Sequence, residues 1–220
     1  MRQLLLDFTR APAPTFANFV PGRNAEALAA LDAAARGRLA ERVVYLWGEA
    51  GAGKTHLLRA FAEASGAPYA AAAELRAEAL PPRLAIDDLE GLGEGEQAAL
   101  FNAFNDGAFA FLAVAAASAP REVAIRRDLA TRLATGLTYR VLALSDGEKR
   151  DALAAHAAAR GFALAEDVAA YLLTHARRDM PSLIASLDVL DRYSLETGRP
   201  ITVPLLKAAM QPGLDLGGAR

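Results

Sequence analysis

The chain has 220 residues and carries 24 Lys plus Arg against 26 Asp plus Glu, a formal net charge of −2, so no strongly basic face argues for strong direct DNA binding. It has no cysteine, which excludes disulfides and cysteine-ligated metals, and its three histidines, His56, His156 and His175, lack metal-ligand spacing. No run is long and apolar enough to span a bilayer and residues 1–8 lack a secretion-signal core, so a cytoplasmic protein with no membrane partner and room for two folded parts is expected.

Residues 4–8 form an apolar patch, and Ala11-Pro12-Ala13-Pro14 after it can continue neither a helix nor a central strand. Residues 1–12 therefore read as a peptide on a stiff linker. Segment 26–39 has helical spacing. Strands are then expected at 42–47, 67–71, 83–87, 110–116 and 139–143, with helices near 54–64, 95–106 and 123–134. This alternation predicts an α/β domain over 13–144, a parallel sheet between helices that binds its ligand at the C-terminal ends of the strands. After Leu144 only helical periodicity remains. Ser145 and Glu148 fit a capping box for a helix through Arg160 that Gly161 stops, and further helices fit 165–177, 180–196 and 203–210. A C-terminal all-helical domain over 145–212 and a flexible tail at 213–220 follow.

The chemistry begins where the first strand ends. Gly48-Glu-Ala-Gly-Ala-Gly53-Lys54-Thr55 fills the phosphate-loop pattern, in which small residues (Gly48, Ala50, Gly51, Ala52, Gly53) let backbone N–H groups close around phosphate oxygens. Lys54 is then expected to reach the outer phosphates and Thr55 to ligate Mg²⁺, while the helix that follows adds its N-terminal N–H groups, His56 among its first residues. Strand 83–87 ends in Asp87-Asp88, which suits Mg-nucleotide chemistry: Asp87 on the metal side and Asp88 on the water side. An Asp turn after a strand is the bland reading of the same pair, and the phosphate loop upstream weighs against it. Arg132 stands near the end of a helix that stops at Gly136, and spacing alone makes it a surface arginine.

The order of phosphate loop, Asp-Asp strand, Arg-bearing helix and helical lid resembles the AAA+ ATPases, and within them the clade around the bacterial replication initiator DnaA. Thr15-Phe-Ala-Asn-Phe19-Val20-Pro21-Gly22 with Asn24 resembles the segment that lies against the adenine in that clade, and Tyr45-Leu-Trp-Gly48, Ile86-Asp-Asp88 and Thr131-Arg-Leu133 continue the similarity. The resemblance implies an AAA+ nucleotide-binding core, with Phe19, Val20 and Pro21 beside the base, Arg132 as an arginine finger acting in trans, and Ser118 as the polar first sensor. It narrows to the Hda family of DnaA-homologous regulators. Arg160-Gly-Phe-Ala-Leu-Ala-Glu-Asp-Val168 and Leu187-Asp-Val-Leu-Asp-Arg-Tyr-Ser194 look like that family's lid, and the chain stops where DnaA continues into a helix-turn-helix domain. Gln3-Leu-Leu-Leu-Asp-Phe8 resembles the peptide by which such proteins dock on the DNA polymerase sliding clamp, its beta subunit, with Gln3, Leu4, Leu6 and Phe8 as the contacts. An edge strand or a frayed terminus is the alternative for those residues.

The family's second-sensor arginine is expected where Pro181 stands, and proline cannot contact a phosphate; Arg177 and Arg178 are the nearby cations. The resemblance and this departure together imply a chain that binds ADP or ATP with Mg²⁺, hydrolyses it weakly or not at all, and activates ATP hydrolysis on DnaA, inhibiting replication initiation. The AAA+ edge leaves a homo-oligomer open. A helicase-loading ATPase of the same clade and a non-catalytic adaptor between clamp and initiator are the competing functions.

Overall fold

A computed structural model describes residues 12–78 and 80–210, without the side chains of 208–210. Gln3, Leu4, Leu6 and Phe8 and the tail at 213–220 lie outside the described residues. Two compact units are present, one of residues 14–144 and one from Ser145 onward.

The first unit is built on five strands, β1 (Val43–Trp47), β2 (Tyr69–Ala71), β3 (Arg83–Asp87), β4 (Phe111–Ala116) and β5 (Leu137–Arg140). They form a wholly parallel sheet in the order β2-β3-β4-β1-β5. Its helices are α1 (Ala25–Ala35), α2 (Lys54–Ser65), α3 (Glu94–Asn105) and α4 (Arg127–Leu133). Strand alternation sorts the core into two layers. Val44, Leu46, Ala85, Ala113 and Ala115 pack with Leu31 of α1 and Leu57, Leu58 and Phe61 of α2, whereas Val43, Tyr45, Leu84, Ile86, Leu112 and Val114 pack with Leu100 of α3 and Leu129 and Leu133 of α4. Both faces are covered, which is why the strands read as continuous apolar runs rather than alternating ones. Each buried Leu, Ile or Phe contributes about 1.5–3 kcal/mol by leaving water.

Several expected boundaries move: α1 ends at Ala35 rather than at 39, β2 begins at Tyr69 rather than at 67, and the bounds of β5 and α4 shift with their hydrogen-bond partners. The last strand is Leu137–Arg140 rather than 139–143, because β5 pairs only with β1 and β1 ends at Trp47; beyond Arg140 a single bond from Val141 N–H to the Trp47 carbonyl, 2.7 Å, closes the ladder. Gly136 permits the early start, since a Cβ there would stand 2.2 Å from the carbonyl oxygen of Val43. Helix α4 begins at Arg127 rather than 123, because Glu122 and Val123 donate to the Ala119 carbonyl in a turn and Arg126 is extended at its N-cap.

The second unit is helical: α5 (Asp146–Ala159), α6 (Glu166–His175), α7 (Met180–Thr197) and α8 (Val203–Met210). Ser145 and Glu148 make both halves of the capping box, and Gly161 at φ 90° turns the chain after α5. Leu153, Val168, Leu172, Leu183, Leu187, Leu190 and Leu206 fill its interior. Asp188 of α7 bonds His156 at 2.7 Å, and Asp191 binds the guanidinium of Arg160 at 2.7 Å, joining α5 to α7. Among the described residues no helix is long and apolar enough to cross a membrane.

Candidate nucleotide site

Strand β1 delivers the loop at its C-terminal end, where three glycines take backbone angles other residues rarely adopt: Gly48 at φ 147°, Gly51 at 77° and Gly53 at 106°. At Gly48 the requirement is also spatial, because a Cβ would lie 2.3 Å from the Val141 carbonyl oxygen. Ala50 and Ala52 continue the loop with the smallest side chains available. Helix α2 starts at Lys54, so its first-turn N–H groups open at the loop. The Lys54 ammonium donates to the loop's own carbonyls, Gly48 at 2.6 Å and Glu49 at 3.0 Å, while Thr55 is exposed beside it.

Asp87 ends β3 and is 2% exposed. Because Ile86 belongs to the α3 and α4 face, Asp87 projects to the opposite face, the one covered by α2 with Lys54 and Thr55. Sheet register sets it level with Ala115 of β4 and Leu46 of β1, two residues before Gly48. Its Oδ2 accepts from the Tyr69 hydroxyl at 2.9 Å and its Oδ1 from the Asp88 N–H at 3.1 Å. Asp88 is exposed and is the one non-glycine with positive φ among the described residues, at 51°. That left-handed angle ends β3 abruptly and turns the next carboxylate away from the first.

The end of β4 is braced rather than free. Tyr45 donates to the Ser118 carbonyl at 3.0 Å, and Glu90, in the turn after Asp88, accepts from the Ala117 N–H. Burial first, and the Glu90 charge second, hold the Tyr45 phenol well above its usual pKa. The Ser118 side chain is half-buried at this junction.

The leading segment is fastened to α2. Thr15 and Asn18 exchange side-chain and backbone bonds, His56 Nε2 bonds the Thr15 carbonyl at 2.9 Å, and Phe19 tilts over the His56 ring at 5.3 Å between centroids. Phe19 also covers Gly53, where a Cβ would stand 3.0 Å from its ring. Val20 is half-buried and Pro21 exposed, just before Asn24. Asn24 is 4% exposed and reads both backbone groups of Leu142, donating to its carbonyl at 2.9 Å and accepting from its N–H at 2.8 Å. A cleft of about 170 Å³ lined by Arg23, Glu49, Arg140 and residues 141–143 lies beside these contacts.

Arg132 lies apart from this cradle, exposed on the last turn of α4. Its guanidinium has no hydrogen bond or ion pair among the described residues, in contrast to Arg126, which Asp128 holds at 2.6 Å. In the helical unit, Pro181 occupies the first turn of α7, behind the Asp179 cap that accepts from Ser182 N–H. Arg177 pairs with Asp179 at 3.3 Å and Arg178 with Asp146, so both nearby cations engage carboxylates of their own unit.

Residues 146–210 match the Hda lid domain, and residues 11–80 match the bacterial DnaA ATPase domain. An uncharacterised protein of Haemophilus influenzae is 34% identical over 182 residues, covering 74% of this chain and 79% of that protein. The chain belongs to the Hda family of DnaA-homologous replication regulators. The fold of this Hda-family chain is shared with domain III of Thermotoga maritima DnaA (TM-score 0.65, 20% identity, 90% of this chain and 97% of that one). It is shared also with AMPPCP-bound DnaA of Aquifex aeolicus (TM-score 0.63, 20% identity, 84% and 69%).

Several residues of this Hda-family site escaped the sequence reading. Tyr69 gave only the apolar signal of a short strand, and its bond to Asp87 needs the β2 and β3 register. Gln97 and Glu90 carry no motif, and the sequence assigns them no role. Gln97 is buried and bonded to backbone on two sides, and Glu90 is bonded to the strand end. Asn24 was noticed only as part of a resembling segment; its reach to Leu142 spans 118 positions of sequence.

Proposed function

We propose that this Hda-family chain is a regulatory inactivator of DnaA: it holds an adenine nucleotide, docks on the DNA-loaded sliding clamp through residues 3–8, and lends Arg132 to ATP bound by DnaA. The observation that carries the reading is Arg132 itself, exposed and without a partner among the described residues on a short helix whose other face is packed into the sheet. A planar guanidinium supplied in trans stabilises charge on a transferring phosphoryl group, worth about 10³–10⁵ in rate.

The chain's own loop suits a resident nucleotide. Three positive-φ glycines shape the loop at the start of α2, and Lys54 is already held among the loop carbonyls. Gly48, Ala50, Gly51, Ala52, Gly53 and Lys54 would hold the phosphates, Phe19, Val20, Pro21 and His56 the base side, and Ser118 would face the outer phosphate. Thr55 and Asp87 would serve Mg²⁺; each Asp87 oxygen accepts one bond and retains a lone pair, which fits a magnesium ion held mainly by phosphate and water. That ion would neutralise phosphate charge. Asp88, turned outward, would orient water in this chain's own weak turnover. With Pro181 in place of a sensing arginine, and Arg177 and Arg178 both paired within the helical unit, resident ADP and slow hydrolysis are the expected state.

The experiment is hydrolysis of DnaA-bound ATP in the presence of clamp and DNA, comparing the wild type with Arg132→Ala. Stimulation should be lost while nucleotide and clamp binding persist; undiminished stimulation would sink the trans-arginine mechanism and favour a non-catalytic adaptor. Deleting residues 1–8 should abolish clamp binding, and a helicase loader would be indifferent to that deletion.

A further inference from the structure

Gln97 is a polar side chain in the wrong place for solvent. It lies in the first half of α3, is 8% exposed, and spends both ends of its amide on backbone groups from two other segments. Its Nε2 donates to the Leu92 carbonyl at 2.8 Å, and its Oε1 accepts from the Arg126 N–H at 2.7 Å. The two partners have opposite polarity, so the amide fits in one orientation only; flipped, it would set oxygen against oxygen and N–H against N–H.

The segments it joins carry the two chemical elements of this unit. On one side, Leu92 closes the turn that begins at Asp88: Gly91 N–H donates to the Asp88 carbonyl at 2.8 Å and Leu92 N–H to the Leu89 carbonyl at 3.2 Å. Glu90, inside that turn, accepts from Ala117 at the end of β4. On the other side, Arg126 is the N-cap of α4. Helix α4 has only seven residues, with Leu129, Ala130 and Leu133 buried, so its N-cap and its last turn belong to one short rigid element. Arg132 follows Arg126 by six residues, about 9 Å along the axis. The Thr135 hydroxyl bonds the Arg132 carbonyl at 2.7 Å and secures the far end. A continuous chain of bonds therefore runs from Asp88 through Leu92 and Gln97 to the start of the arginine helix.

We infer that Gln97 is a positioning residue for Arg132, transmitting the state of the Asp87–Leu92 carboxylate turn to α4 so that nucleotide held in cis sets the aim of the arginine presented in trans. The inference rests on the proposed role of Arg132. Displacement of a reacting group by about 1 Å costs on the order of 10²-fold in rate, so a bridge of two bonds at the base of a seven-residue helix is enough to govern the finger.

The test uses Gln97→Met, which keeps the side-chain volume and removes both bonds, and Gln97→Glu, which keeps an acceptor for Arg126 N–H but faces a carboxylate toward the Leu92 carbonyl. In both, the maximal stimulation of DnaA ATP hydrolysis should fall at least about tenfold, with the half-saturating concentration of the protein unchanged. Hydrogen exchange supplies a readout that a purely structural glutamine would not move: ADP should slow exchange over residues 123–128 in the wild type and cease to do so in Gln97→Met. If Gln97→Met does not fold, the maximal rate and the exchange response of Gln97→Glu decide. Unchanged maximal stimulation in a folded variant, or ADP protection of 123–128 that is absent from the wild type or survives loss of the bridge, overturns the inference. Arg132→Ala is run beside them. If it leaves stimulation intact, the proposed function fails, while the exchange response still decides whether the bridge couples nucleotide to α4.

Discussion

The hydroxyl of Tyr69 donates to Oδ2 of Asp87 at 2.9 Å, tying the edge strand β2 to the carboxylate that ends β3. The Arg59 guanidinium lies over the same ring, 4.5 Å from its centroid, so one phenol is set between a cation from α2 and the buried acid. This contact gives Asp87 a fixed direction. With Asp88 N–H on the other oxygen, the carboxylate cannot rotate without losing a bond.

Tyrosine ionisation should make the α/β unit sensitive to alkali. Burial holds the Tyr45 phenol well above its normal range, with Glu90 adding to the effect. Tyr69 is raised chiefly by burial and also by Asp87, against the opposing bond from Arg59. A phenol whose folded pKa exceeds its unfolded value binds more protons in the native state, so stability is intact below the unfolded pKa of about 10 and falls as pH rises above it. Guanidinium unfolding followed by Trp47 fluorescence between pH 8 and about 11 should show this decline. Tyr45→Phe should flatten it, and an equal slope in that variant would remove burial of this phenol as the cause.

Two loop glycines should differ sharply on substitution. Gly48→Ala drives a Cβ into the Val141 carbonyl at 2.3 Å, backbone against backbone, and should cost about 3 kcal/mol. Gly51→Ala meets nothing within 4 Å and carries only the strain of φ 77°, about 1 kcal/mol. Denaturant midpoints for the pair should separate accordingly; similar midpoints would mean that β1 and Val141 shift readily.

Asp88 stores backbone strain at φ 51°. Replacing it with Gly should leave the unit equally stable or stabilise it by up to about 1 kcal/mol, whereas Val should destabilise it by about 1–3 kcal/mol. Asp88→Asn removes the charge but tolerates the angle, so it separates the effect of the charge from that of the turn's geometry. Equal stability of the Gly and Val variants would contradict this account.

Asn24→Ala leaves both the N–H and the carbonyl of Leu142 without their partner in a half-buried setting. The expected cost is about 2–3 kcal/mol. Asn24→Asp retains an acceptor for the N–H but sets a carboxylate against the carbonyl, so it should not rescue. Thermal melting monitored at Trp47 would test both, and a melting point within a degree of the wild type would show that the segment is held by other contacts.

Much of this protein is legible one residue at a time. The phosphate loop from Gly48 to Thr55 is a contiguous pattern whose geometry follows from small residues and a helix start, and Asp87-Asp88 closes an apolar run that reads as a buried strand. The capping box at Ser145 and the stop at Gly161 are local as well, since each bond spans only a few residues. The limits of β5 were not legible, because they depend on where its neighbour β1 ends and on Gly136 passing close to Val43.

What sequence alone determined, then, is the order of the parts: a phosphate-loop pattern, two consecutive carboxylates at a strand end, an arginine-bearing helix and a C-terminal run of helices. What the tertiary structure decided is how those parts are held. Tyr69 on Asp87, Asn24 on Leu142, Glu90 on Ala117 and Gln97 between Leu92 and Arg126 are pairings of polar groups far enough apart in sequence, or on such ordinary helix and turn positions, that no periodicity announces them. The physical reason is the same in each case. A buried polar group must find a partner, and which partner lies within reach is set by strand order and register, which exist only once the sheet has formed.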